Sequence, residues 1–296
     1  PPGGALAAAV SNAGGFGLVG GGYGDRHWLT EQLAMVQQQR FGVGFITWAL
    51  QPDVLTFALE HQPQAVMLSF GNPAPFAAQI LDSGAQLICQ CQTLQHVKQS
   101  MDAGANIIVA QGSEAGGHGA QRGTMSLVPE CADFMAGHAP DVLLLAAGGI
   151  ADGRGLAAAL MLGADGVLVG TRLWASTEAL VADAHHRAIL SSSGDDTIRT
   201  GVADIARELN WPAEFSARIQ RNQFVQRWHG NEPQLQQQLP VEAPKYRQAF
   251  AEGDVDNAAV WFGEAAGLIN TVESAADIIA NMSAQAADCL RNTPYA

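Results

Sequence analysis

One histidine in this chain stands where an imidazole could do chemistry. His118 closes the run Gln111-Gly-Ser-Glu-Ala-Gly-Gly-His118, directly after an apolar stretch of strand length, Asn106 to Ala110. The run therefore reads as the loop at a strand's C-terminal end, and His118 as the candidate catalytic residue. An imidazole titrates near neutrality, so it can take a proton from a carbon acid or give one to a developing anion. The glycines around it let it come close to a planar group. The plainer alternative is a loop histidine bonded only to backbone. Glu114 could orient the ring or cap the loop. His27, His61, His96, His138, His185, His186 and His229 lack such a setting and read as surface residues of helices or tails. The adjacent His185 and His186 point about 100° apart on a helix, so they do not form the i, i+4 pair that a metal favours.

Two further loops suggest an anion site. Ala147-Gly-Gly-Ile-Ala-Asp-Gly153 follows the strand-like Val142 to Ala146 and leads into a helical pattern, so its glycines let backbone N–H groups approach a phosphate. The next strand ends at Gly170-Thr171, adding amides and a hydroxyl. Loops after consecutive strands can converge on one ligand, which makes the pair a stronger indication of phosphate binding than either alone. Gly15-Phe-Gly-Leu-Val-Gly20 matches G-x-G-x-x-G but lies across a strand rather than after one, so it does not read as a dinucleotide fingerprint. No Gly-x-Ser-x-Gly elbow occurs, which leaves serine hydrolase chemistry without an anchor.

These residues need a scaffold that lines up strand ends. Short apolar runs alternate with amphipathic segments up to about Trp174, the rhythm of repeated βα units and a parallel sheet. The expected strands are 16–19, 41–46, 65–69, 86–90, 106–110, 142–146 and 166–169, seven in all. Helices are expected over 25–39, 52–61, 75–83, 94–103 and 153–162, and a further helix, 4–13, precedes the first strand. The fold class is α/β, a (β/α)8 TIM barrel that lacks its first strand within this sequence; an open doubly wound sheet is the alternative. Residues 1–175 read as the barrel core, 176–254 as an inserted helical subdomain and 255–296 as a C-terminal helical segment that packs back on the barrel or forms a plain tail.

Composition limits the partners. With 48% hydrophobic and 15% charged residues, the 296-residue chain has material for a large core. No run approaches the roughly 18 apolar residues of a membrane span. A formal charge of −13 with scattered Lys and Arg disfavours nucleic acid. Cys89, Cys91, Cys131 and Cys289 read as reduced, buried thiols of a cytoplasmic protein, and two thiols at Cys89-x-Cys91 without further ligands indicate no metal. A homodimer is left open.

The sequence also resembles the nitronate monooxygenases, FMN-dependent barrels formerly called 2-nitropropane dioxygenases. The resemblance covers nearly the whole chain and is carried by residues 8–17 (AAVSNAGGFG), 111–118 (QGSEAGGH), 146–153 (AAGGIADG), 163–171 (GADGVLVGT) and 263–269 (GEAAGLI). It implies that Gly148, Gly149, Gly170 and Thr171 hold the FMN phosphate, with Gln111 near the flavin ring. It further implies that His118 takes the α-proton of a nitroalkane or stabilises a bound nitronate, and that O2 completes the reaction to a carbonyl compound and nitrite. Family members usually open with a strand ending Ala-Pro-Met that lines the flavin. This sequence starts just after that point, so the resemblance places such a strand before residue 1. The histidine loop is also similar to that of flavin-dependent enoyl-acyl-carrier-protein reductases, and related barrels act as quinone reductases. The second expectation is accordingly an NAD(P)H-dependent FMN reductase.

Overall fold

The computed structural model describes residues 3–292. Seven parallel strands form the main sheet: β1 (Gly17–Gly22), β2 (Phe41–Ile46), β3 (Ala65–Ser69), β4 (Gln86–Cys91), β5 (Ile107–Gln111), β7 (Leu143–Ala147) and β8 (Gly166–Leu168), in the order β1-β2-β3-β4-β5-β7-β8. Every pairing joins neighbours in the chain order of the barrel, as expected when one βα unit follows another. The sheet curls into a TIM-barrel architecture with β1 and β8 as its edges.

Alternation along the strands sorts side chains to two faces. Ala65, Met67, Ile88, Ile107, Val109, Leu145, Ala147 and Leu168 pack together inside the curl. Their neighbours Val66, Leu68, Leu87, Cys89, Ile108, Ala110, Leu144 and Ala146 face outward into the larger core beneath the helices. Two residues beyond Ile88 and Val109 stand Gln90 and Gln111, so this period puts both amides on the inner face at the C-terminal mouth. Cys89 and Cys91 share the outer face and are buried with Cys131, while Cys289 is partly exposed. Burial raises the Cys89 and Cys131 thiols to about 11, so all three buried cysteines stay protonated.

Side chains close several helix starts. Asp25 accepts from the amides of His27 and Trp28, Asp152 from Arg154 and Gly155, and Ser274 from Asp277. The last described helix, Ala275–Arg291, packs across Gly153–Met161 so closely that a Cβ on Gly153 would lie 2.4 Å from the Ala286 nitrogen. Its Ile278 and Met282 join the outer core.

Residues 176–254, expected as an inserted helical subdomain, also contain strands. They contain β9 (Thr197–Thr200) and β10 (Ser216–Gln220), and β10 pairs antiparallel with both β9 and β6 (Gly117–Gly119). The loop expected around His118 therefore contains a short strand. The misreading has a physical source: partly or fully buried arginines, Arg199 and Arg218, occupy strand positions where apolar residues would signal alternation. Helices of this region close over Val202, Ala217, Ile219, Phe224, Trp228 and Tyr246, a second core. The first long helix is also shorter than read, Arg26–Ala34. Among the described residues, no helix is long and apolar enough to cross a membrane.

Candidate active site

A cavity of about 510 Å³ opens at the C-terminal mouth of the main sheet. That size lies within the roughly 300–1,000 Å³ typical of small-molecule and cofactor pockets. Gln90 and Gln111 reach it from β4 and β5, Gly148 and Gly149 from the loop after β7, and Gly170 and Thr171 from the loop after β8. Five of the residues singled out in the sequence thus meet in one space. The cavity continues as an apolar groove between the edge strands, lined by Leu6, Val10, Phe16, Ile278 and Met282.

The two glycine loops form a floor with different local reasons. Gly148 has φ +100, a left-handed conformation that side chains rarely adopt, and a Cβ there would also press on the Gly112 carbonyl at 2.9 Å. Gly170 has ordinary backbone, and a Cβ built on it would meet no atom within 4 Å. The space in front of Gly170 is open to a ligand. A floor of backbone amides and the Thr171 hydroxyl beside such a space has the donor chemistry that a phosphate requires.

The histidine segment is tied to this floor. Gly112 N–H donates to the Ala147 carbonyl at 2.8 Å, and the Thr124 hydroxyl lies 3.0 Å from both the Gly148 carbonyl and a Glu114 oxygen. Glu114 also accepts from the Thr124 amide, at 2.9 Å. Its carboxylate is thus taken up by Thr124 and makes no bond to the imidazole, which a different residue orients. Glu264 N–H donates to the Glu114 carbonyl, and Gly263 N–H donates to the Thr171 hydroxyl at 3.0 Å. The 263–264 segment therefore clamps the histidine loop to the β8 loop.

His118 lies in β6, beside the cavity rather than in its wall; Gly116, Gly117 and Trp261 stand between as lining residues. The Gln111 amide donates to the His118 carbonyl at 3.1 Å and accepts from Gln92, itself buried, at 2.9 Å. Beneath the strand, Arg199 and Arg218 both donate to the Ser113 carbonyl, and Arg199 also reaches the carbonyls of Gly119 and Ser216. Burial, then the neighbouring Arg218, lower Arg199 to about 10, which leaves it charged at neutral pH.

Sequence reasoning missed the partner that matters most. His118 Nε2 is 2.9 Å from Asp204 Oδ2, and both side chains are under one-tenth exposed. A carboxylate only accepts, so Nε2 carries the hydrogen and Nδ1 keeps the lone pair. No described group bonds Nδ1. Burial lowers the imidazole below its ordinary 6.5; the Asp204 bond and charge oppose that, and the charges of Arg207 and Arg199 add to it. His118 is thus a neutral base with one nitrogen anchored. Asp204 belongs to the helix Val202–Ala206 directly after β9, so the β9-β10-β6 sheet carries it to His118 across 86 residues of sequence. Nothing local to either residue announces the pair.

His96 departs from the surface reading. It is largely buried, its Nδ1 lies 3.2 Å from the Gln92 amide oxygen and its Nε2 3.4 Å from Glu214.

The chain is similar to proteins of known family. The family model for nitronate monooxygenase matches residues 31–285. A nitronate monooxygenase of Neurospora crassa is 32% identical, aligning 97% of this chain with 87% of its own. Another from Paraburkholderia phytofirmans is 30% identical over 94% of this chain and 87% of that protein. FabK from Thermotoga maritima matches with a TM-score of 0.84 and 29% identity, over 98% of this chain and 90% of that one. A nitroalkane oxidase from Streptomyces ansochromogenes matches with a TM-score of 0.81 over 98% and 93%; at 23% identity it is a likeness of fold. With the matched region spanning β2 to the last helix and taking in His118, Asp204 and the glycine loops, the chain belongs to the nitronate monooxygenase family of oxidoreductases.

Proposed function

We propose that the protein oxidises nitronates, and nitroalkanes through their nitronates, with O2 to a carbonyl compound and nitrite, using FMN in the mouth cavity. The observation that carries this reading is a neutral imidazole, anchored by Asp204, beside a glycine-floored cavity. The fit to FMN rests on the open space before Gly170, the left-handed turn at Gly148 and the amide donors of Gln90 and Gln111 at the inner wall. Gly148, Gly149, Gly170 and Thr171 would hold the phosphate, and Gln111 would lie beside the ring. When bound, FMN supplies the electron transfer between substrate and oxygen, which no side chain here can perform.

The chain's own residues handle the proton. His118 Nδ1 accepts the α-proton of a neutral nitroalkane, and the resulting imidazolium is stabilised by the buried Asp204 carboxylate. Asp204 is a positioning residue: it fixes which nitrogen holds the lone pair. With a nitronate as substrate no proton need be removed, and the same imidazole serves as a neighbour to the anion. The Gln92–Gln111 pair at His118, and the two arginines at Ser113 and Gly119, hold the backbone of the histidine loop, and with it the ring, in place. O2 uptake with ethylnitronate by FMN-loaded protein, accompanied by release of nitrite and acetaldehyde, tests the reading; no uptake by fully loaded protein sinks it.

The likeness to FabK favours a second reading, NAD(P)H-dependent reduction of a quinone or an enoyl thioester by the same FMN. NADH-dependent loss of flavin colour without nitronate selects that reading.

A further inference from the structure

Trp211 fills the space against one face of His118. Its indole lies flat on the imidazole, with ring centroids 3.4 Å apart and planes 4° from parallel. No substrate atom fits between rings at that spacing. Four other aromatic rings wall the indole edge-on: Phe70 at 5.2 Å, Trp48 at 5.4 Å, Tyr23 at 6.3 Å and Phe215 at 6.4 Å. The indole N–H donates to the Tyr23 hydroxyl at 3.0 Å. Tyr23, Trp48 and Phe70 follow β1, β2 and β3, so this aromatic slot sits on the C-terminal rim where barrel substrates bind. The imidazole also meets Trp261, at 5.7 Å and tilted 31°, which lines the cavity.

We infer that Trp211 is the specificity-determining residue of the site, limiting the substrates that reach His118 to short alkyl nitronates by filling an aryl-sized slot. The inference rests on His118 as the reacting base. A substrate entering from the Trp261 side must present its α-carbon to the imidazole while its substituent stays clear of the indole; an ethyl or propyl chain does so and a benzyl group collides with it. Without the indole, the slot would be bounded by Phe70, Trp48, Tyr23 and Phe215, rings that suit a planar aromatic guest by edge-to-face packing. The same slot holds polar atoms for an anionic head group to reorganise around: the buried Trp48 Nε1 has no hydrogen-bond partner among the described residues, and the Tyr23 hydroxyl loses the Trp211 donor when that residue is removed.

Carboxylates share the planar, anionic O–X–O head of nitronates and are not oxidised, so the test needs no turnover. Calorimetric affinities of propionate and phenylacetate are compared in FMN-loaded wild type, Trp211→Ala and Trp211→Phe. Burying a phenyl ring in the opened slot predicts a phenylacetate-to-propionate affinity ratio about tenfold or more above wild type in Trp211→Ala. Trp211→Phe, which keeps a ring and protects the fold, predicts a rise of about threefold. An unchanged ratio in the folded variants overturns the inference, as does wild type binding phenylacetate as tightly as propionate, or neither anion binding any of the proteins. If the ratio shifts as expected while wild type oxidises no nitronate, the assignment of Trp211 stands and the proposed reaction falls.

Discussion

Replacing Asp204 by Asn keeps the side chain's shape and removes its charge, which makes it the sharpest perturbation of the proposed base. The pair meets at 2.9 Å, with Asp204 4% exposed and the His118 side chain 9% exposed, so water cannot substitute for the lost carboxylate. A buried hydrogen bond to a charged partner is worth about 1.5–3 kcal/mol. If that stabilisation grows with the imidazolium in the transition state, kcat/KM for nitroethane falls by about 10- to 150-fold. The Asn amide can also turn its NH2 toward Nε2, which moves the ring hydrogen to Nδ1 and removes the lone pair that takes the proton. Ethylnitronate, already deprotonated, should lose no more than about threefold, because its reaction skips that step. Asp204 also raises the His118 pKa, so its loss moves the acid limb of the nitroethane profile to lower pH. Oxygen-electrode rates with both substrates across pH measure all three effects. Equal losses on the two substrates, or an unmoved limb, refute the positioning role.

In the wild type, the nitroethane kcat/KM should be level above about pH 6.5 and fall about tenfold per unit below the folded pKa of His118, since that pKa is depressed and the neutral form is the base. The sign for stability is the same: a buried neutral histidine contributes stability that is present above pH 6.5 and lost as pH falls through its folded pKa, visible as a falling Tm. Gly170→Ala meets no protein atom within 4 Å, so Tm should shift little, whereas the methyl enters the ligand's space and FMN affinity falls about tenfold or more; equilibrium dialysis showing unchanged affinity removes Gly170 from the phosphate site. Gly116→Ala sets a methyl 2.5 Å from the Phe262 carbonyl carbon and 2.6 Å from the Gly263 nitrogen, a clash between two backbones that lowers Tm by about 2–8 °C in differential scanning fluorimetry.

The barrel was legible because its signals are local. The β2 and β3 boundaries at 41–46 and 65–69 match residue for residue, since a buried parallel strand is an apolar run with a helix pattern on either side. The glycine loops were legible for the same reason: each follows its strand in sequence. The His118–Asp204 pair was not, because it depends on a three-stranded sheet assembled from short segments far apart in the chain. Its pairing signal at β6 is Gly-His-Gly, which has no alternation to read. Glu114 misled in part, for its proximity in sequence suggested a role that the Thr124 amide claims instead. Trp211 gave no signal, since an aromatic in an irregular segment beside Pro212 looks the same whether it stacks on a base or on nothing.

The most direct test of the central claim is anaerobic. FMN-loaded protein mixed with ethylnitronate in the absence of O2 should lose its visible flavin absorbance within the mixing time, while NADH leaves the spectrum unchanged over the same interval. Loss with NADH and none with ethylnitronate contradicts nitronate oxidation and assigns the cavity to reductase chemistry.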